Sequence, residues 1–162
     1  MILSAFTLFH VLVSLAGIGS GFAVVYGLLT SKRLDGWTAI FLSTTIATSV
    51  TGFMFPVHHF MPSHGVGIVS LIVLAFSILA RYRHRLEGGW RRTYAITAVI
   101  ALYLNFFVLI VQLFEKVPAL KELAPTQTEP PFVIAQSAAL LLFTFLGVRS
   151  AMKFHGVPLH SA

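Results

Sequence analysis

The stretch TYAITAVIALYLNFFVLIVQLF, residues Thr93–Phe114, decides the fold. It runs for 22 residues without Asp, Glu, Lys, Arg, His, Gly or Pro. About 20 such residues cover the hydrocarbon core of a bilayer when helical. The apolar residues are continuous rather than alternating, which reads as helix. In lipid only helices and closed barrels satisfy every backbone amide and carbonyl.

Working outward, four more segments read the same way. They run from Ile2 to Leu29, from Trp37 to Pro56, from Gly65 to Ala80 (the shortest) and from Phe132 to Val148. The breaks between them are polar or proline-rich: Lys32, Arg33, Asp35 and Gly36, then Pro56 and Pro62. The stretch 81–92 holds five arginines with Gly88 and Gly89, and Pro118, Pro125, Pro130 and Pro131 mark a longer loop. One helical turn is expected in that loop, over Ala119–Leu123. The expected fold is all-α: one domain, residues 1–162, forming a polytopic bundle of five transmembrane helices.

Composition agrees. The 162 residues are 57% hydrophobic and 10% charged, with a mean hydropathy of +0.88. Soluble domains are nearer a quarter charged, and a fold of this size leaves much of its surface in water. A soluble enzyme, a disordered chain and a free nucleic-acid-binding domain are therefore disfavoured. There is no cysteine, hence no disulfide, thiolate ligand or thiol nucleophile.

The net charge of +6 sets orientation. Nine Lys or Arg lie in 31–36, in 81–92 and after Val148, against Lys116 and Lys121 in the other two loops. Positive loops face the cytoplasm, so the N-terminus is expected outside and the C-terminus inside. The first segment has no basic residue before its long apolar run, so it reads as a retained span rather than a cleaved signal. The arginines of 81–92 are expected to meet anionic headgroups, with His84 solvated among them. His155 and His160 fall in the tail.

The polar residues fall on helical stripes. His10, Ser14, Gly17 and Gly21 share one face of the first helix. Gly17 and Gly21 form the small-residue pair that lets a neighbouring helix approach closely in lipid; the alternative is a seam opened for a flat cofactor. The second helix carries Ser43, Thr44, Thr45, Thr48, Ser49 and Thr51, whose hydroxyls are expected to bond back to their own helix. Asn105, Gln112 and Gln136 need partners in lipid and so point inward.

The loop Phe55-Pro56-Val57-His58-His59-Phe60-Met61-Pro62-Ser63-His64-Gly65 gathers three histidines. Ser63 is a candidate N-cap for the third helix. His10 lies in the same outer half, and Gln112, Glu115 and Gln136 approach that side from the last two long helices. Neutral imidazole is a common transition-metal ligand, and two imidazoles on facing helices can hold a b-type haem. His10 is the inner candidate, with His64, His58 or His59 opposite. Copper or zinc is the alternative, with Met61 favouring copper(I). Gln112, Glu115 and Gln136 would support the site or handle protons. Interfacial histidines whose tips reach water need no ligand at all. In the loop before the last helix, Pro130 and Pro131 fit a first helical turn, with Glu129 at the positive end of the helix dipole.

Several stretches carry a resemblance. They are Thr48-Ser49-Val50-Thr51-Gly52-Phe53 into Phe55-Pro56, and Pro62-Ser63-His64-Gly65 through Leu71. Leu102-Tyr103-Leu104-Asn105-Phe106-Phe107-Val108 continues through Gln112 to Lys116-Val117-Pro118, and Leu123-Ala124-Pro125-Thr126-Gln127-Thr128-Glu129-Pro130-Pro131-Phe132 follows. With these the chain resembles a group of small five-helix inner-membrane proteins of proteobacteria. That resemblance implies a multi-pass protein of the bacterial inner membrane and brings no activity with it. Phe9-His10-Val11-Leu12 and the glycine-rich run after it are similar to the first helix of haem- or copper-associated bacterial membrane families. Ala16-Gly17-Ile18-Gly19 stands where those openings often have Trp and paired glycines.

Three functions are expected. The first is a redox-associated membrane subunit that holds haem b, or copper, near the outer face and exchanges electrons with a quinone or an outer carrier. The second is a non-catalytic accessory or assembly subunit, without cofactor, that packs against other membrane proteins. The third, a small transporter, is weakened by the lack of a mid-membrane acid and of broken, repeat-related helices. No Ser-His-acid arrangement for hydrolysis is legible.

Overall fold

The computed structural model describes residues 2–60 and 62–154, save the side chains of residues 2 and 3. Met61, His155 and His160 lie outside the described residues. Among those described the chain is all-helical. In order come α1 (Ile2–Leu29), α2 (Asp35–Phe53), α3 (Pro62–Ile78) running into a π turn (Leu79–Arg83), α4 (Trp90–Lys116), the short α5 (Pro118–Leu123) and α6 (Pro130–Lys153). Four stretches are long and apolar enough to cross a membrane: Ser4–Leu29, Pro62–Arg83, Trp90–Lys116 and Pro130–Lys153. The 19-residue α2 is long enough but too rich in Ser and Thr to meet the same apolarity.

The helices extend past the apolar runs that mark them in the sequence. The third, at 17 residues, is the shortest of the long α-helices, and Pro62 opens it while the π turn carries it on through Arg83. Proline suits a first turn, where its missing N–H costs nothing. Ser63 is therefore inside the first turn of α3 and is not its N-cap. The last helix starts at Pro130 and ends at Lys153.

The central helix is α4, which packs against α1, α2, α3 and α6. Its buried face is built mainly of small and medium residues, among them Ala95, Ala98, Val99, Ala101 and Leu102. Small side chains let helix axes come close, and in lipid that packing rather than the hydrophobic effect holds helices together. The α1 seam shows the same logic. A Cβ on Gly21 would lie 2.5 Å from Leu102 Cδ1 and 3.0 Å from Phe41 Cε2. A Cβ on Gly17 would lie 3.1 Å from Asn105 Nδ2 and 3.2 Å from Thr44 Oγ1. The seam is thus filled by α2 and α4, not opened for a flat group.

The hydroxyls of α2 behave as helical hydroxyls in lipid do. Ser43, Thr44, Thr48, Ser49 and Thr51 donate to the carbonyls of Ala39, Ile40, Thr44, Thr45 and Ala47 at 2.6–3.0 Å. These five bonds are local, whereas Thr45, expected to do the same, leaves its buried hydroxyl without a partner.

The long helices run alternately up and down, which gives the bundle two ends. One, the histidine end, holds the N-terminal half of α1, the α2–α3 loop and α5. The other, the arginine end, holds the α1–α2 loop, the π turn and the start of α4.

Candidate functional site

At the histidine end, His10 is set by α1 into the groove against α2. Its Nδ1 lies 2.7 Å from Thr51 Oγ1, and its ring meets Phe55 edge-on at 5.1 Å. Thr51 in turn lies 2.7 Å from the Ala47 carbonyl, which takes the hydroxyl proton. The Thr51 oxygen then accepts from His10 Nδ1–H, a tautomer assigned from the hydrogen-bond network. This leaves the ring lone pair on Nε2. A metal-binding imidazole is held in the same way, through its other nitrogen.

The remaining histidines of this end are placed differently. His64, in the first turn of α3, stacks on Phe53 at 5.6 Å with 17° between the planes and meets Phe60 at 5.4 Å. Phe53 also packs at Gly67 of α3, whereas Phe55 meets Phe6 of α1. The rings of His10 and His64 are therefore seated on opposite flanks of the end of α2. His58 and His59 lie exposed in the loop that leaves Phe55. Among the described residues no three His, Asp or Glu side chains are grouped to hold a metal ion.

The amides separate into two interfaces. Gln136 Nε2 donates to the Phe107 carbonyl at 3.3 Å, between α6 and α4. Gln112 is half-buried on α4, and Glu115 is exposed. The amide that meets the His10 stripe is Asn105, whose Oδ1 accepts from Ser14 Oγ at 3.0 Å. Asn105 Nδ2 and Thr45 Oγ1 are buried beside Gly17 without a hydrogen-bond partner. The Ser49 hydroxyl, whose proton goes to the Thr45 carbonyl, also reaches α3: its oxygen lies 3.2 Å from Ser70 Oγ. A line of polar contacts thus follows α1 and α2 inward from His10.

The arginine end corrects two expectations. Arg81 does not meet headgroups: it is 1% exposed. Its Nη2 donates to Asp35 Oδ1 and to the Arg33 carbonyl, and its guanidinium lies 5.1 Å from the centre of the Tyr94 ring. Arg33 Nη2 pairs with the other oxygen of Asp35 at 3.0 Å. Tyr94 donates to Thr38 Oγ1 at 3.5 Å. Likewise His84 is not freely solvated; it stacks on Trp90 at 3.8 Å, nearly parallel.

The sequence hid this cluster. The π turn rotates Arg81 inward by widening the helix at that point, and π bulges are often functional. The backbone bends sharply here as well. Ser31, Leu34, Arg85 and Leu86 all have φ between 44° and 59°, a conformation costing about 1 kcal/mol or more for a residue with a side chain. Burial of Leu86, which is 0% exposed, helps hold the second bend. A run of arginines beside glycines gives no sign of which one turns inward. Asp35, the one acid beside Arg33 and the first residue of α2, was the available signal.

Comparison with protein-family models, with curated proteins and with solved structures finds no match for this chain.

Proposed function

We propose that the chain is a five-span protein of the bacterial inner membrane with its N-terminus outside and its C-terminus in the cytoplasm. In this reading α2 is the fifth span, most of its hydroxyls satisfied by its own carbonyls, and the arginine end is cytoplasmic. The function that the geometry supports best is that of a redox-associated subunit with an imidazole ligand site near the outer face. One observation carries it: Thr51 holds His10 by Nδ1 and leaves Nε2 as a free ligand.

The partner imidazole is best sought in the loop after Phe55. His58 and His59 are tethered close to the ring that His10 touches, whereas His64 is seated on the other flank. A b-type haem or a copper ion bound there would supply the electron transfer. The chain's own part is to fix the tautomer through Thr51, to shield one face of His10 with Phe55, and to pack the interior against water. Quinone or an outer-side carrier would be the electron partner.

A second reading has its own support. It is that of an accessory or assembly subunit without a cofactor: the Gly17 and Gly21 seam is filled by α2 and α4 of the same chain, which leaves no room there for a flat group, so contact with other membrane proteins would fall to the outer apolar surface. Absorption spectra of protein purified from haem-replete cells, oxidised and reduced, separate the two, with elemental analysis on the same sample. The redox reading expects a Soret band, or stoichiometric copper, lost in His10→Ala. A colourless and metal-free protein that co-purifies with a larger complex favours the accessory role instead.

A further inference from the structure

The side of the bundle away from His10 carries a groove between α4 and α6. Its volume is about 750 Å³. Ile96, Ile100 and Leu104 of α4 and Leu140, Thr144 and Val148 of α6 line it. Tyr103 and Phe143, with ring centres 5.7 Å apart, close its floor. The groove ends at Arg92, and there it adjoins a cavity of about 320 Å³ whose wall includes Gly88, Gly89, Arg91 and Arg92. Arg92 and Ala151 line both, so the two spaces are neighbours.

This pairing differs from an ordinary lipid-facing surface in two ways. The apolar part is concave, so it holds one chain in place rather than brushing past many. The polar part carries two positive charges with no carboxylate against them: among the described residues the ion pairs are those of Asp35 with Arg33 and Arg81. A long apolar slot with a cationic mouth is complementary to an anionic amphiphile. Gly147 keeps the slot open. A Cβ there would meet only Val99, at 3.6 Å, an ordinary contact.

We propose that this groove is a binding site for an anionic glycerophospholipid, with one acyl chain lying between α4 and α6 and the phosphate held by Arg91 and Arg92. The inference rests on the membrane placement and is independent of the histidine site. Cationic side chains near a membrane surface each contribute a modest attraction to anionic lipid, and two together are worth roughly a 30-fold change in affinity.

The test is native mass spectrometry of the full chain in detergent, titrated with dioleoyl phosphatidylglycerol or dioleoyl phosphatidylcholine. The expected result is one phosphatidylglycerol held per chain in preference to phosphatidylcholine. Binding should weaken roughly 30-fold in the Arg91→Gln, Arg92→Gln double variant, and should be lost in Gly147→Leu, which fills the slot and leaves both charges. Circular dichroism and elution volume establish that each variant is folded. If Gly147→Leu is misfolded, Thr144→Phe, which fills the slot from an exposed position, takes its place. Equal binding of the two lipids would overturn the site. So would phosphatidylglycerol binding that survives filling of the slot, since that is surface charge alone. Displacement of the lipid by millimolar inorganic phosphate would show that the arginines bind a free anion. A dimer that Gly147→Leu converts to monomer would show that a second copy of the chain occupies the groove.

Discussion

At the arginine end, one guanidinium is buried to 1% exposure, two arginines share one carboxylate, and four residues other than glycine sit in left-handed backbone conformations. At the histidine end, His58 and His59 stand exposed on a loop, and His10 is half-buried with a single side-chain tie to Thr51. Both ends are polar, yet only one is built into the fold. A charge placed inside the bundle must be paired, because the cost of leaving it alone is several kcal/mol. A neutral imidazole at the rim carries no such cost and stays available for a ligand. The contrast separates a polar cluster that holds helices from one that can change its partners.

The largest expected effect breaks the arginine end. Asp35→Asn leaves Arg81 buried without its counter-charge and should cost about 3–5 kcal/mol. Arg81→Gln should cost less, because the Asp35 side chain is 60% exposed and water can take it over. Unfolding in mixed micelles with a denaturing detergent measures both. If the two substitutions cost the same, the burial of Arg81 is not what makes the pair important. His10→Ala, by comparison, should change stability by under about 1 kcal/mol, near the value of one interhelical hydrogen bond.

Next in size is the seam that joins the two ends. Gly21→Ala places a methyl 2.5 Å from Leu102, and overpacking of this kind costs about 1–3 kcal/mol. Because Leu102 is itself fully buried, the double variant with Leu102→Ala should cost less than the sum of the two single substitutions in the same unfolding assay. Simple additivity would mean that α1 and α4 are not in contact there. Smaller still is the Ser14 to Asn105 bond. Ser14→Ala should cost about 0.6 kcal/mol, the average for such bonds between membrane helices.

The smallest effect concerns a loop of the histidine end. Desolvation alone would raise the pKa of Glu129, but the hydrogen bonds that its carboxylate accepts from Thr126 and Thr128 outweigh this and hold it below the ordinary value. A carboxyl with a depressed folded pKa contributes its stabilisation in full above the unfolded value and loses it as pH falls through the folded one. Titration of the Glu129 carboxyl by carbon-13 NMR should give a midpoint below that of a free glutamate. A midpoint at or above it would mean that those bonds do not form.

The parts of this structure that follow a period were legible. The helices and the His10, Ser14, Gly17 and Gly21 stripe repeat at helical spacing, and the hydroxyls of Ser43, Thr44, Thr48, Ser49 and Thr51 satisfy themselves locally, as their residue type implies, while that of Thr45 does not. What was not legible depends on departures from the period. The π turn that faces Arg81 inward has no mark in the sequence, and Trp90 under His84 is one aromatic among many. The histidine end was legible only as a gathering. Spacing brings His58, His59 and His64 together in one loop, but it does not say which flank of α2 each ring joins. That depends on Phe53 and Phe55, two residues apart at the end of α2 and turned toward different helices.

The most direct test of the central claim is the reduced-minus-oxidised visible spectrum of the purified chain from haem-replete cells, recorded beside its copper and iron content. The account predicts a Soret band with sharp reduced α and β bands, or one copper per chain, present in the wild type and lost in His10→Ala. It also predicts that the signal survives His64→Ala better than removal of both His58 and His59. A colourless wild-type protein without bound metal would contradict it, and His10 would then be an interfacial side chain tied to Thr51 and nothing more.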